Sequence, residues 1–338
     1  MEYVYLAVKS VVIFAAVATA MPFVVWAERK VFADAQARIG PNRAGPFGIL
    51  QSFADALKLV VKEDIIPRGA DKALYYLAPV LSMIPALTAF AVIPYGGPDL
   101  KIAGFPIGYV TDPKEVGILY IFAITTLGVY GVVLAGWASN NKYSLLGALR
   151  CAAQMVSYEI LLGLAIMGVV IASQSLSLVD IVEKQREPYW GFIPGIWLFA
   201  QPVGFLVFLI ASFAEVNRTP FDLPEAESEL VAGFHTEYSS FKFAMFFMAE
   251  YINLITVAAV TATLFLGGWL GPGVETYPIL GVGYFTLKVV ALLYLFMWIR
   301  ATMPRLRYDQ LMRFAWKFLL PVALANVFVT ALWVALRS

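Results

Sequence analysis

The chain has 338 residues, 61% of them apolar and only 14% charged, with a mean hydropathy of +0.77. An ordinary soluble domain is roughly 45–50% apolar and about 25% charged, which excludes a soluble globular domain, a disordered tail and a nucleic-acid binder and leaves an integral membrane protein. The net charge of +1 offers no global field to an acidic partner, and one cysteine (Cys151) with one histidine (His235) excludes a disulfide framework, an all-cysteine iron–sulfur site and a histidine-based metal or haem centre.

A bilayer core about 30 Å thick needs roughly 20 apolar residues of helix. Eight such runs stand at about 5–27, 73–93, 115–138, 152–173, 194–214, 241–267, 282–300 and 318–336. Their length predicts helices, because a barrel strand would show about ten alternating residues. The first run ends in WAERK with no small-residue cleavage site, so it reads as a retained span rather than a secretory leader. After it comes QARIGPNRAGPFG, in which Gly40, Pro41, Gly45, Pro46 and Gly48 specify a fixed, turn-rich path. Such a path holds Arg38 and Arg43 in place as a polar wall suited to an anionic or quinol-like head group. Plain positive-inside anchoring accounts for most of the other inner basic residues, Arg29, Lys30, Arg300, Arg305, Arg307 and Arg313 among them.

The next segment, GILQSFADALKLVVK (48–62), places Leu50, Phe53, Leu57, Val60 and Val61 on one helical face and Asp55, Lys58 and Lys62 on the other. Two readings stand side by side: a surface helix packed on the bundle, or an interfacial helix framing an opening toward lipid. Further on, three ionisable residues fall inside predicted spans: Glu159 in the fourth, Glu250 in the sixth and Lys288 in the seventh. A charge at a helix centre costs about 2.5–3.5 kcal/mol on insertion scales and usually faces a polar interior or an ion path. Cys151, at the head of the fourth span, reads as a small packing residue.

The loop between the fifth and sixth spans, AEVNRTPFDLPEAESELVAGFHTEY (214–238), is the most informative stretch. Asp222, Pro224 and Glu225 have the spacing of a capped short helix, on which Glu225 and Glu229 share a face while Glu227 points elsewhere. Glu215, Asp222, Glu225, Glu227, Glu229 and Glu237 stand against only Arg218 and Lys242. Closely spaced carboxylates cannot all ionise, so their protonation spreads toward neutral pH, as a proton relay requires. His235 reads as a hydrogen-bonding loop residue. The other connectors, 94–114, 174–193 and 268–281, carry no clustered polar chemistry.

Seventeen lysines and arginines fall in the loops 28–72, 139–150, 215–242 and 300–317, against six on the opposite side. The positive-inside rule therefore places those loops in the cytoplasm and both termini on the periplasmic side. The expected fold is an all-α integral membrane protein: one domain, 1–338, of eight transmembrane helices with an interfacial amphipathic helix at 48–62 and a structured cytoplasmic acidic loop at 215–240.

The motifs WAERK (26–30), QARIGPNRAGPFGILQSFADALKL (36–59), LRCAAQMVSYE (149–159), the acidic loop, MAEY (248–251) and WIRATMPRLRYDQLM (298–312), in this order, resemble the H subunit of respiratory complex I, the proton-pumping NADH:quinone oxidoreductase. The resemblance runs essentially end to end. It implies a translocase component of the electron-transport chain in the bacterial inner membrane, with no redox centre, metal or covalent cofactor of its own, quinone (ubiquinone or a relative) as substrate, and lipid around it. Its implied partners are peripheral-arm quinone-site subunits on the cytoplasmic side and small and antiporter-like membrane subunits. The implied quinone tunnel comprises Glu28, Arg29, Arg38, Asp55, Phe221, Phe247, Arg300 and Arg305. The implied proton route comprises Glu159, Glu215, Glu225, Glu227, Glu229, Glu250 and Tyr251, to which Lys288 is added from its position inside a span. No catalytic acid for quinone reduction is expected on this chain. The rival readings are the equivalent ion-coupling subunit of a membrane-bound hydrogenase and a free-standing secondary transporter. The second predicts inverted repeats and broken hydrophobic segments in matching halves, and the sequence has neither.

Overall fold

The structure is a computed structural model and describes residues 2–102, 105–187, 195–223 and 230–336. With no water in a bilayer core, each backbone amide must find its partner within its own segment, and the apolar runs accordingly form helices. They are α1 (Glu2–Ala35), α2 (Gln51–Val61), α3 (Lys72–Ala89), α4 (Gly117–Ala138), α5 (Lys142–Ser173), α6 (Leu178–Lys184), α7 (Trp197–Ala200), α8 (Pro202–Glu215), α9 (Ser240–Phe265), α10 (Ile279–Thr302) and α11 (Tyr308–Ala335). A two-residue antiparallel ladder, Lys101 opposite Pro106, is the one departure from helix among the described regular elements.

Among the described residues seven helices, α1, α3, α4, α5, α9, α10 and α11, are long and apolar enough to cross a membrane. The predicted fifth span, 194–214, instead takes the form of two short pieces, α7 and α8. Pro202 has no amide hydrogen to donate back into α7, and Gln201 leaves helical geometry at φ −131° and ψ 54°. The 14 residues of α8 reach only about 21 Å at 1.5 Å each. Other helices outrun their apolar runs. The α5 helix begins ten residues before its run, where the Asn141 side chain accepts from the Tyr143 amide at 2.9 Å and caps it. Hydropathy registers the apolar middle of a helix and misses its polar turns.

The α9 helix is the axis of the fold. It touches α1, α2, α3, α6, α7, α8 and α10, and Ile252, Ala258, Ala259, Ala262, Leu264 and Phe265 along it are fully buried. The α1 helix lies against α10, while α11 leans on α5 and α8. The α2 helix lies beside α1 with Leu50, Phe53, Leu57, Val60 and Val61 all exposed. Its apolar face is therefore turned away from the bundle. The turn leading into α2 is tight: Gly48 sits at φ +77°, and a Cβ there would come within 2.2 Å of the Pro41 carbonyl oxygen.

Candidate functional site

Four elements bring charged residues together at one end of the bundle: α1, the loop after α8, α9 and α10. Glu28, near the end of α1, accepts from Arg300 of α10 and from Arg218 at 3.4 Å. Arg218 also pairs with Glu250 of α9, and its guanidinium lies 4.2 Å from the centroid of the Tyr251 ring. Tyr251 in turn lies close enough to Glu28 to interact with it electrostatically. Glu28 and Arg218 are each only 5% exposed. Burial alone would favour a neutral Arg218, but Glu250, Tyr251 and Glu28 around it outweigh that and hold it above its ordinary pKa. Arg218 is thus a permanent cation shared by two carboxylates. Removing one partner of such a buried set typically costs about 3–5 kcal/mol, because the other charges stay buried.

Glu250 also faces a second space. A cavity of about 60 Å³ is lined by Glu215, Asn217, His235, Glu250, Asn253 and Ser82 among others. A water needs roughly 10–15 Å³ of such room, so the space has room for about four. Glu215 lies at a junction, lining this polar cavity and also an apolar one of about 40 Å³ that runs past Phe122, Thr125, Leu162 and Thr256. Glu159 lies close enough to Glu215 to interact with it electrostatically and accepts from the Thr126 hydroxyl. The exit of α8 is pinned by Gln154, whose amide donates to the carbonyls of Ala214 and Phe221 at 2.7 Å each and to Asn217 Oδ1 at 3.2 Å. Glu215 therefore stands on a fixed turn.

The remaining predicted residues divide. Arg29 and Asp55 meet at 2.6 Å across α1 and α2, both partly exposed. Phe221 is buried with its ring 5.8 Å from that of Tyr158, and Phe247 lines the polar cavity against Phe243 and His235. Arg305 is half-buried on a strap whose Leu306 amide donates to the Pro220 carbonyl at 3.1 Å. Arg38 is exposed on the turn after α1. Lys288 lies apart from the acids: its ammonium donates to the carbonyls of Gly268 at 2.9 Å and Leu270 at 2.8 Å. Glu225, Glu227 and Glu229, and the helix cap expected of Asp222 with Pro224, lie outside the described residues. Cys151 is buried with its sulfur 3.6 Å from that of Met155, a packing position.

Sequence reasoning passed over Arg218, which it counted only as a base in an acidic loop, and the neutral residues Gln154, Asn217, Asn253 and Thr126. The signal available for Arg218 was its isolation, one arginine between Glu215 and Asp222. The neutral residues carry no such signal in one sequence. Among the described residues no group of three or more His, Cys, Asp or Glu is placed to hold a metal ion.

A family model described as NADH dehydrogenase matches residues 8–331. The chain is 51% identical to the first H subunit of the NADH-quinone oxidoreductase of Geobacter sulfurreducens over 348 residues, covering 99% of this chain and 97% of that one. It is 48% identical to the second H subunit of the Koribacter versatilis enzyme, with 98% and 97% covered, and 51% identical to the H subunit of the Thermomicrobium roseum enzyme, with 92% and 91% covered. The chain belongs to the family of NADH-quinone oxidoreductase H subunits. The family match takes in all of the charged knot and both cavities, so none of the site lies in a segment peculiar to this chain.

Proposed function

We propose that this H-type membrane protein serves complex I, the proton-translocating NADH:quinone oxidoreductase, by guiding quinone to its reduction site and carrying the first protons of the pumping route. The observation that carries this reading is Glu250, which pairs with Arg218 in the charged knot and lines the cavity that holds Glu215. A charge change on one side of that residue is felt on the other.

Quinone enters from the membrane beside α1 and α2, where the exposed apolar face of α2 lies at the bilayer surface and Asp55 ties it to Arg29. Arg38, Phe221, Phe247 and Arg305 line its way past Glu28 and Arg300. Reduction takes place at a partner protein docked on the basic loops; this chain supplies no redox centre. Unit charges 4 Å apart at a dielectric of about 20 interact by roughly 4 kcal/mol, enough to move a protonation equilibrium by about three pKa units. A charge arriving on the quinone head therefore redistributes protons among Glu250, Glu215 and Glu159, with Tyr251 and the loop acids Glu225, Glu227 and Glu229 as the supply. From Glu159 they pass to small and antiporter-like membrane subunits. Lys288, seated on carbonyls, braces the far end. In this reading α7 and α8 together make the fifth of eight spans, both termini are periplasmic, and the chain is multi-pass in the cytoplasmic membrane of a bacterium with lipid around it.

Glu215→Gln tests it. The complex should assemble and bind quinone-site inhibitors, while proton pumping coupled to quinone reduction in proteoliposomes falls more than tenfold. Undiminished pumping would remove Glu215 from the route.

A further inference from the structure

The single histidine of the chain is placed where the proposed route needs a carrier. His235 ends a 3₁₀ turn, Gly233–His235, at the loop end of α9. The turn settles directly on α5, because Gly147 has no side chain there: a Cβ on it would come within 2.8 Å of the Gly233 Cα. The imidazole is clasped by Phe234, Phe243 and Phe247 at centroid distances of 4.9, 5.3 and 6.0 Å. It keeps 8% exposure, so it is fixed without being sealed off. Its ring lines the same cavity as Glu215 and Glu250. The other walls are neutral: Ser82 from α3, Gly128 and Val132 from α4, Met155 from α5, and Asn217 from the loop. Among the described residues Glu215 and Glu250 are thus the only titratable groups that share the cavity with it.

We infer that His235 is a proton-relay residue, passing protons from the loop side of the cavity to Glu250 and Glu215. Imidazole suits this position chemically. It gains and loses protons near physiological pH and has a nitrogen on each side of the ring, so one nitrogen can release a proton while the other is refilled. In the step, an imidazolium N–H breaks, the proton crosses a cavity water to a carboxylate oxygen, and the neutral ring takes a new proton that reaches it from bulk solvent through loop-side water. No electron moves. A cavity with room for about four waters supplies the bridge, and the three phenylalanines keep the ring from turning out of line. The inference rests on the proton route proposed above.

The experiment uses the intact complex in proteoliposomes with three variants, His235→Gln, His235→Ala and Glu215→Gln. Coupled pumping should fall at least fivefold in both histidine variants while inhibitor binding is kept, and millimolar imidazole should restore pumping to His235→Ala. A purely structural role would show the loss without the rescue, and that result overturns the relay, as does undiminished pumping in His235→Gln. If His235→Ala does not assemble, His235→Gln is read for pumping and inhibitor binding together: loss of pumping with binding kept supports the relay, and loss of both overturns it. Normal pumping in Glu215→Gln would instead indict the route itself. A pumping defect in Glu215→Gln with normal histidine variants would indict only the relay.

Discussion

The two ends of α1 carry buried charges of opposite sign, and they are stabilised in different ways. Glu28 and Lys9 are 5% and 9% exposed and stand roughly 28 Å apart at 1.5 Å per residue. Glu28 is answered by charge, from Arg218 and Arg300. Lys9 is answered by dipoles: its ammonium donates to the carbonyls of Pro106 at 2.7 Å and Val110 at 3.4 Å, and it lies over the rings of Tyr5 and Tyr109. Lys288 repeats the second pattern on the carbonyls of Gly268 and Leu270. An ion-pair knot has interchangeable partners, so protonating one carboxylate shifts its neighbours. A lysine on two carbonyls has no carboxylate partner in that contact and ties its helix to a loop.

Substitutions can break this contrast. The largest effect belongs to Arg218→Gln, which takes the shared cation from Glu250 and leaves Glu28 with Arg300. Destabilisation of about 3–5 kcal/mol is expected, read as a lower melting temperature of the complex and a more than tenfold loss of quinone reduction. Arg218→Lys should recover little, since a point charge cannot serve two carboxylates as a planar fork does. Recovery by lysine would mean that only the sign of the charge matters at this end.

Lys288→Met tests this tie between helix and loop. Two carbonyls lose their donor at about 0.5–1.5 kcal/mol each, so thermal stability drops modestly while pumping stays within about twofold of the parent. Lost pumping with intact assembly would return Lys288 to the proton route. The smallest effect belongs to Arg29 and Asp55, a partly exposed pair. A double-mutant cycle of Arg29→Gln and Asp55→Asn should give a coupling of about 0.2–1 kcal/mol, with a change in KM for quinone below about threefold. A larger coupling would place the pair inside a dehydrated channel rather than at a water-exposed edge.

Much of this site was visible in one sequence. Charge inside an apolar run is a local anomaly, so Glu159, Glu250 and Lys288 stood out by position. The density of acids in 214–238 marked Glu215. What each charge does was not visible, because that depends on which partner folding brings beside it. Glu250 and Lys288 share one sequence signal, yet one meets a guanidinium and the other a pair of carbonyls. The broken fifth run was hidden in a similar way: Gln201 and Pro202 sit inside a stretch apolar enough to pass as one span.

Composition and periodicity by themselves determined the membrane class, the helical fold and the loop where acids gather, because burial in lipid penalises every unpaired charge and amide wherever it lies. The tertiary structure alone decided that Arg218 joins Glu28 to Glu250, that Glu250 also opens on the cavity of Glu215 and His235, and that Lys288 turns away from both. Those pairings span up to 190 residues of separation, between Glu28 and Arg218. They follow from helix packing around α9, which no local pattern encodes.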